Sequence, residues 1–195
     1  MLTTRRAIEQ NKQIRIIGFD DAPFDKEGNQ SVSIAGVVCS NTRFEGMVWG
    51  ELEKDGLDAT QCLVSLLKQS KFYPQLHAVL LDGVAFGGFN IVDLEKLNKQ
   101  TELPCISVMR KPPDMPAIDR ALQNFADYEL RRRLLLKAGQ IQQVQGFIFQ
   151  SHGLSAVDAG RLLERVTDTG KVPEALRLAH LIGAAVKTGE SSNRA

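Results

Sequence analysis

Apolar residues in the first third of the chain fall into short runs separated by polar segments, a spacing typical of β-strands. Three of these runs are rich in β-branched and aromatic residues, which favour a strand over a helix. The segments between them contain turn-forming residues, so neighbouring runs are expected to pair antiparallel. The predicted strands of this meander are IRIIGF (14–19), SVSIAGVVCS (31–40) and TRFEGMVWGELEK (42–54).

Beyond residue 57 the apolar spacing changes to that of amphipathic helices alternating with short strands. The runs HAVLLD (77–82) and LPCISVMR (103–110) are almost wholly apolar and fit strands buried on both faces. The pattern predicts further helices and a possible last strand. The helices are predicted over 58–72, 90–101, about 117–138, 155–170 and 173–189, and the last strand is GFIFQ (146–150).

The order of these elements predicts the fold class. Three meander strands followed by two crossover strands make a mixed five-stranded α/β sheet flanked by helices. This order is that of the ribonuclease H-like fold, in which the first and fourth strands are neighbours. A plain doubly wound nucleotide-binding fold is the alternative, but it requires βα alternation from the start. We expect residues 1–195 to form one domain of this kind.

Composition narrows the class of protein. With 24 Lys and Arg against 23 Asp and Glu, the formal net charge is +1, which excludes nucleic-acid binding by bulk charge alone. No apolar run is long enough to cross a membrane, and the first residues lack the apolar stretch of a signal peptide. The three cysteines have no metal-type spacing. We expect them to be reduced core residues of a cytoplasmic protein that binds no membrane.

Two acids fall where predicted strands end. Asp20, or its neighbour Asp21, ends the first strand and Asp82 ends the fourth. Sites in α/β sheets gather at the carboxyl ends of strands, and these two strands are neighbours in the expected order. Adjacent carboxylates repel unless a cation neutralises them, and their oxygens suit Mg²⁺ or Mn²⁺. The alternative is that Asp20 and Asp21 begin a turn and Asp82 caps a helix.

The segment after Asp82, GVAFGGFN (83–90), is rich in glycine. It contains neither a GxGxxG motif nor a Walker loop, which argues against a nucleotide-phosphate cradle. Glycines let a backbone approach a ligand closely, and Phe86 or Phe89 can stack on an extruded base. The candidate substrate-binding residues are Gly83, Gly87, Gly88 and Phe89. The alternative is that both phenylalanines pack into the core beneath the loop.

Arg110 and Lys111 follow the fifth predicted strand and precede two prolines. This position would let either one meet a phosphate group. Both are equally compatible with solvated loop charges. The densest basic cluster, Arg131 to Arg133 with Lys137, is compatible with a solvated helix face or with contacts to a phosphate backbone.

Five segments together resemble the endonuclease V-like proteins, and most closely their endonuclease dU branch. The resemblance covers almost the whole chain. The segments are GFDDAPF, DGLDAT, LLDGVAFGGFNIVDL, LPCISVMRKPPD and GKVPEALRLAHLIGAAVKTGESS. The resemblance implies a ribonuclease H-like fold and Mg²⁺-dependent cleavage of nucleic acid beside a deaminated base, uracil or hypoxanthine, with DNA favoured over RNA.

The resemblance also implies roles for individual residues. Asp20 and Asp82 match the two aspartates of the metal site, and Asp58 lies where endonuclease V carries a glutamate. His180, which the pattern alone would place in the core, matches a position near the metal. Arg110 or Lys111 matches a lysine that follows the fifth strand. The expected metal ligands are therefore Asp20, Asp58, Asp82 and His180.

The chain also departs from endonuclease V. That family has a histidine soon after its second aspartate, whereas the segment VAFGGFN carries no basic residue here. Its aromatic wedge has no clear counterpart between Phe44 and Asp58. A shorter wedge would suit a single-stranded or already unstacked substrate. Two hypotheses follow: a metal-dependent DNA-repair endonuclease, or a ribonuclease H-like module that binds nucleic acid or a protein without cutting.

Overall fold

The structure is a computed structural model that describes residues 4–25, 27 and 31–192. Within these residues nine strands form two sheets. The strands are β1 (Arg15–Asp21), β2 (Ser31–Ser40), β3 (Arg43–Glu53), β4 (Ala78–Asp82), β5 (Ala85–Phe86), β6 (Asn90–Ile91), β7 (Cys105–Met109), β8 (Gln142–Val144) and β9 (Phe147–His152).

Seven α-helices are found in the same residues. They are α1 (Thr4–Glu9), α2 (Ala59–Gln69), α3 (Leu94–Thr101), α4 (Met115–Leu122), α5 (Tyr128–Lys137), α6 (Ala156–Arg165) and α7 (Glu174–Thr188). None of the described helices is long and apolar enough to span a membrane. The three cysteines are free, as predicted, and Cys39 and Cys105 are buried.

The main sheet has seven strands in the order β3-β2-β1-β4-β7-β9-β8. Strands β1 to β3 pair antiparallel, and β4 pairs parallel with both β1 and β7. The predicted meander with two crossover strands, and with it the ribonuclease H-like class, is confirmed. The expected width of five strands is wrong, because an antiparallel hairpin of β8 and β9 extends the sheet beyond β7. Strand β8 is the three-residue edge strand QQV, too short and too polar to produce an alternating pattern.

Two helix predictions also need correction, and one helix was not predicted. The helix expected over about 117–138 is divided into α4 and α5, with a break that carries Phe125. The ring of Phe125 packs on that of Phe89, with centroids 5.6 Å apart. Helix α3 begins at Leu94, because Asn90 and Ile91 form the strand β6. Helix α1 falls in a segment that the apolar pattern did not identify.

The core lies on both faces of the main sheet. Helices α1, α6 and α7 cover one face, and α2 and α3 cover the other. Helix α7 lies especially close to β1: a Cβ atom at Gly18 would be 2.8 Å from backbone atoms of Ala175 and Leu176. At the other end of the contact, a Cβ at Gly183 would be 3.2 Å from the Cα of Ala22. Both glycines therefore allow the helix to pack against the strand that carries Asp20.

Replacing Gly18 with alanine is expected to push α7 away from β1, since the added methyl group meets backbone that cannot rotate aside. We expect the free energy of unfolding in urea to fall by about 1–3 kcal/mol. Gly50→Ala is the matched control, because there the methyl group meets only the flexible end of Leu66. Equal losses in the two variants would contradict the account of α7 packing.

Candidate functional site

Parallel pairing of β1 with β4 sets two carboxylates side by side. In the register of this pair Phe19 lies opposite Leu81, so Asp20 and Asp82 are the next residues on adjacent strands. Asp20 is buried, with 5% of its surface exposed, whereas Asp82 is half-buried at the strand end. The interpretation of Asp20 and Asp82 as neighbours at the sheet's carboxyl edge agrees with this geometry.

Helix α7 adds an imidazole to the pair. The Nδ1 atom of His180 lies 2.9 Å from Oδ2 of Asp20. One ligand atom from each of Asp20, Asp82 and His180 lies within 4.8 Å of the other two. His180 follows the buried Ala179, whose side chain belongs to the core between α7 and the sheet. The close contact of α7 with β1 at Gly18 therefore fixes where the imidazole lies.

The electrostatics of the cluster are dominated by buried negative charge. Desolvation, followed by the charges of Asp82 and Asp21, raises the pKa of Asp20 to about 8. Arg110 opposes this shift, and its Nη2 lies 3.2 Å from Oδ2 of Asp82. The side chain of Arg110 is 43% exposed, so this ion pair is open to solvent. Three acids compensated by one exposed guanidinium leave a site that favours a cation.

These side chains line an open cleft of about 560 Å³. Its walls are Asp20, Asp21, Ala22, Pro23, Phe24, Asp82, Arg110 and His180. Two carboxylates and an imidazole are donors that suit a divalent cation such as Mg²⁺ or Mn²⁺. A cation would also offset the desolvation and the like-charge repulsion that raise the pKa of Asp20. The donor set and its electrostatics therefore fit a divalent metal.

Asp21 lies in the wall of the cleft, and its side chain bonds to the neighbouring loop. Its Oδ2 accepts a hydrogen bond of 2.6 Å from the backbone N–H of Gly87. Burial raises the pKa of Asp21, and this hydrogen bond opposes the shift. Asp21 thus joins the end of β1 to the loop that follows Asp82.

The structure does not bring Asp58, the fourth predicted ligand, into the cluster of Asp20, Asp82 and His180. Its Oδ1 accepts hydrogen bonds from the Asn90 side chain and from the Glu53 backbone N–H. The same asparagine accepts from the N–H of Ala59 at the start of α2. Asp58 occupies the N-cap position of α2 and serves to connect β3, α2 and β6. A carboxylate before a helix has the same appearance in a sequence whether it binds a metal or the backbone.

The loop glycines also differ from the expectation that they line a base pocket. Gly87 accepts a hydrogen bond of 2.8 Å from the N–H of Asp55, and a Cβ on it would lie 2.8 Å from Leu52. At Gly88, where φ is +94°, a Cβ would lie 2.3 Å from the carboxylate of Asp55. At these two glycines, other side chains of the protein occupy the space that a Cβ atom would need. Gly83, where φ is +80°, has open space beside it and does not line the metal cleft.

Phe89 and Phe86 are likewise occupied within the protein. Phe86 is buried in the core, as the alternative interpretation predicted. Phe89 is half-buried against Phe125, and its backbone N–H donates to Oδ1 of Asp55. The Phe86 ring is therefore not free to stack on a base, and part of the Phe89 ring is covered by Phe125.

Arg131 is a structural residue that the sequence did not distinguish from its basic neighbours. It is 4% exposed, and its guanidinium donates to the carbonyls of Asp55, Gly56 and Phe89. It also pairs with Asp127 at 2.7 Å. Arg131 therefore fixes the loop that holds Asp21 in place. Its role is neither that of a solvated helix face nor that of a phosphate contact, the two interpretations that the sequence left open.

The other basic candidates divide according to position. Arg110 lines the metal cleft, whereas Lys111 is exposed and is not part of its wall. Lys137 pairs with Asp93 at 3.1 Å, and Arg132 lies 3.6 Å from Asp119. Of the two residues proposed to meet a phosphate, Arg110 is the one beside the carboxylates.

The raised pKa of Asp20 predicts how metal-free protein responds to pH. Folding favours the protonated carboxyl, so this contribution to stability is complete below the ordinary pKa of 3.8 and is lost as pH rises through about 8. Urea unfolding in EDTA should show a loss of a few kcal/mol between about pH 5 and pH 8. Asp20→Asn should remove this part of the pH dependence. Identical pH profiles for the two proteins would contradict the shift.

Solved structures share the fold. A protein of unknown function from Archaeoglobus fulgidus is 36% identical and superposes with a TM-score of 0.84, covering 89% of this chain and 98% of that one. A variant of endonuclease V from Ciona intestinalis, in complex with a 23mer DNA that contains an inosine followed by a ribo-adenosine, superposes with a TM-score of 0.56. It is 16% identical and covers 90% of each chain. The chain thus has the ribonuclease H-like fold of endonuclease V.

Sequence comparisons establish the family. A protein of Archaeoglobus fulgidus named UPF0215 protein is 36% identical over 184 residues, which are 94% of this chain and 99% of that protein. The sequence profile of endonuclease dU matches residues 12–187. The resemblance seen in the five short segments is confirmed, and the chain belongs to the endonuclease dU family.

Proposed function

We propose that this protein is a divalent-metal-dependent endonuclease that hydrolyses a phosphodiester bond of DNA near a deaminated base, uracil or hypoxanthine. The observation that carries the proposal is the convergence of Asp20, Asp82 and His180 in one open cleft. The endonuclease V-like fold and the family support it. Such an activity would serve DNA repair.

In this proposal Asp20, Asp82 and His180 hold Mg²⁺ or Mn²⁺. Such an ion, when bound, lowers the pKa of a coordinated water and neutralises charge on a phosphate. The chain supplies the geometry. Strand pairing fixes Asp20 and Asp82, and the hydrogen bond between Asp20 and His180 orients both side chains before a metal arrives.

Arg110 has a separate role in the proposal. Its guanidinium lies at the mouth of the cleft, 3.2 Å from Asp82 and partly exposed. A phosphate entering the cleft would meet this group, which can donate two parallel hydrogen bonds to phosphate oxygens. Arg110 would then stabilise the negative charge that develops as the phosphodiester bond breaks.

A binding module that does not cut remains the second hypothesis, and one observation favours it. Between Gly83 and Phe89 the loop beside Asp82 carries no titratable side chain. This loop therefore offers no general acid or base to the reaction. The nuclease hypothesis predicts DNA cleavage that is lost when a metal ligand is removed. The binding-module hypothesis predicts no cleavage at all.

A nicking assay separates the two hypotheses. Labelled oligonucleotides with uracil, hypoxanthine or no lesion are incubated with the protein and Mg²⁺ or Mn²⁺. Cleavage of the lesion strands is expected, and Asp82→Ala should reduce its rate at least a thousandfold, since a ligand and its charge are lost.

Asp168→Ala is the matched control, because Asp168 is an exposed aspartate outside the cleft. It should cleave at the wild-type rate. Cleavage that survives Asp82→Ala would reject the metal site. Lesion-specific binding with no cleavage by the wild-type protein would favour the binding module.

A further inference from the structure

Helices α4 and α5 form a groove with the strands β7 and β9, which we call the apolar groove. One part of it, about 440 Å³ in volume, lies against the two strands, and a smaller part of about 200 Å³ lies between the two helices. Both parts share a wall made of Met115, Ile118, Leu135 and Leu136. Concave and mainly apolar surface of this size is typical of a binding site.

The apolar groove and the metal ligands lie on opposite faces of the main sheet. Met109 of β7 lines the groove, and alternation along the strand places it on the same face as Cys105, which packs with α2 and α3. His180 belongs to α7, which covers the other face. The groove is therefore a site separate from the metal cleft.

The wall of the apolar groove is partly uncovered. Leu136 is 64% exposed, and Met115 and Ile141 are each 43% exposed. With Leu130, they make up four of the eight large apolar side chains that are exposed in the described part of the chain. Exposed apolar surface gathered in one segment marks an interaction site more often than isolated exposed residues do.

The side chains of the groove favour a protein over a nucleic acid as the occupant. Isoleucine, leucine, methionine and valine line the groove, and among the described residues no aromatic side chain does. Sites that hold the bases of a single strand stack them on aromatic rings. Flexible methionine and leucine side chains instead adapt to the apolar residues that recur along a partner helix.

The charge around the groove favours an acidic partner. Residues 110–141 carry seven Lys and Arg against four Asp and Glu, whereas the rest of the chain carries 17 against 19. Three of the four acids are engaged within the protein. Asp114 caps α4, Asp119 accepts a hydrogen bond from Tyr128, and Asp127 pairs with Arg131.

Three bases of this segment are exposed and unengaged. In the part of the chain that the structure describes, no group forms a hydrogen bond or an ion pair with the side chains of Lys111, Arg120 and Arg133. Arg120 and Arg133 lie on the two helices that form the groove, and Lys111 precedes Pro113 of its wall by two residues. The surroundings of the groove therefore attract negative charge.

The same bases disfavour a second copy of this chain as the occupant. In a two-fold symmetric dimer the same patch lies on both sides of the interface. The two basic segments would then face each other, and like charges opposed in this way weaken association. A partner with carboxylates beside its apolar residues satisfies both the walls of the groove and its charge.

We propose that the apolar groove binds an acidic amphipathic helix of another protein. Helix α4 has eight residues and is about 12 Å long, which matches two turns of a partner helix. Apolar residues on one face of the partner would fill the two parts of the groove, and its flanking carboxylates would pair with the unengaged bases. This interaction surface is independent of the proposed hydrolysis.

Fluorescence anisotropy with two labelled synthetic peptides tests the proposal. Both peptides carry leucine at positions i, i+3, i+4 and i+7 of a helical sequence, and the other positions are mainly Glu in one and mainly Lys in the other. The wild-type protein should bind the Glu peptide at least about tenfold more tightly than the Lys peptide. Equal binding of the two peptides, or no binding of the Glu peptide, would overturn the proposal.

Leu136→Asp tests whether the peptide occupies the groove, because it puts a charge in the shared wall at an exposed position. It should weaken binding of the Glu peptide at least about tenfold. Val157→Asp is the matched control, since Val157 is a 53% exposed helix residue outside the groove, and it should bind as the wild-type protein does. Equal binding by the two variants would reject the groove as the site.

A double variant, Lys111→Glu with Arg133→Glu, tests the role of charge. Both side chains are exposed and make no contact that folding needs, so the variant should fold. It should lose most of the preference for the Glu peptide over the Lys peptide. An unchanged preference would contradict the assignment of an acidic partner.

Two controls address the other possible occupants. A labelled single-stranded oligonucleotide should bind wild-type protein and Leu136→Asp equally, and sedimentation should give the two proteins the same mass. An oligonucleotide that Leu136→Asp alone fails to bind would assign the groove to nucleic acid and overturn the proposal. A wild-type dimer that Leu136→Asp converts to a monomer would assign the groove to a second copy and overturn it as well.

Discussion

The parallel pairing of β1 with β4 is the constraint on which the site depends. It places Asp20 and Asp82 at the same edge of the sheet with a fixed register, and one of the two is buried. This arrangement does not by itself stabilise the folded protein, because desolvation and like charge oppose the ionised state of Asp20. A cation bound at this position would offset the unfavourable free energy of ionising Asp20. Strained electrostatics of this kind are typical of functional sites.

The surrounding structure holds this edge in place from two sides. On one face, α7 approaches β1 at Gly18 closely enough that His180 reaches the carboxylate of Asp20. On the other side, Arg131 binds the backbone of the loop after Asp82, and that loop donates to Asp21 through Gly87. The three possible metal ligands therefore come from three elements, β1, β4 and α7, which distant packing brings together. Their arrangement is set before any ligand binds, as a rigid site requires.

The sequence predicted the parts of this arrangement that rest on strand order and missed those that rest on tertiary contacts. Asp20 and Asp82 could be paired because acids at the ends of neighbouring parallel strands must lie close together. His180 could be assigned only through family resemblance, since its spacing fits a core stripe equally well. Asp58 bonds to the protein's own backbone and Gly88 packs against the carboxylate of Asp55, and in a sequence such residues look like ones that bind a ligand.

The metal cleft gathers at one edge of the sheet the charged groups that the proposed reaction needs for a phosphate and a metal. The central claim is that Asp20, Asp82 and His180 together hold one divalent cation. A crystal of the protein grown with Mn²⁺ and measured at the manganese absorption edge tests this directly. The account predicts an anomalous peak within coordination distance of a carboxylate oxygen of Asp20, one of Asp82 and a nitrogen of His180. A protein that cleaves DNA with Mn²⁺ but shows its only anomalous peak elsewhere would contradict it.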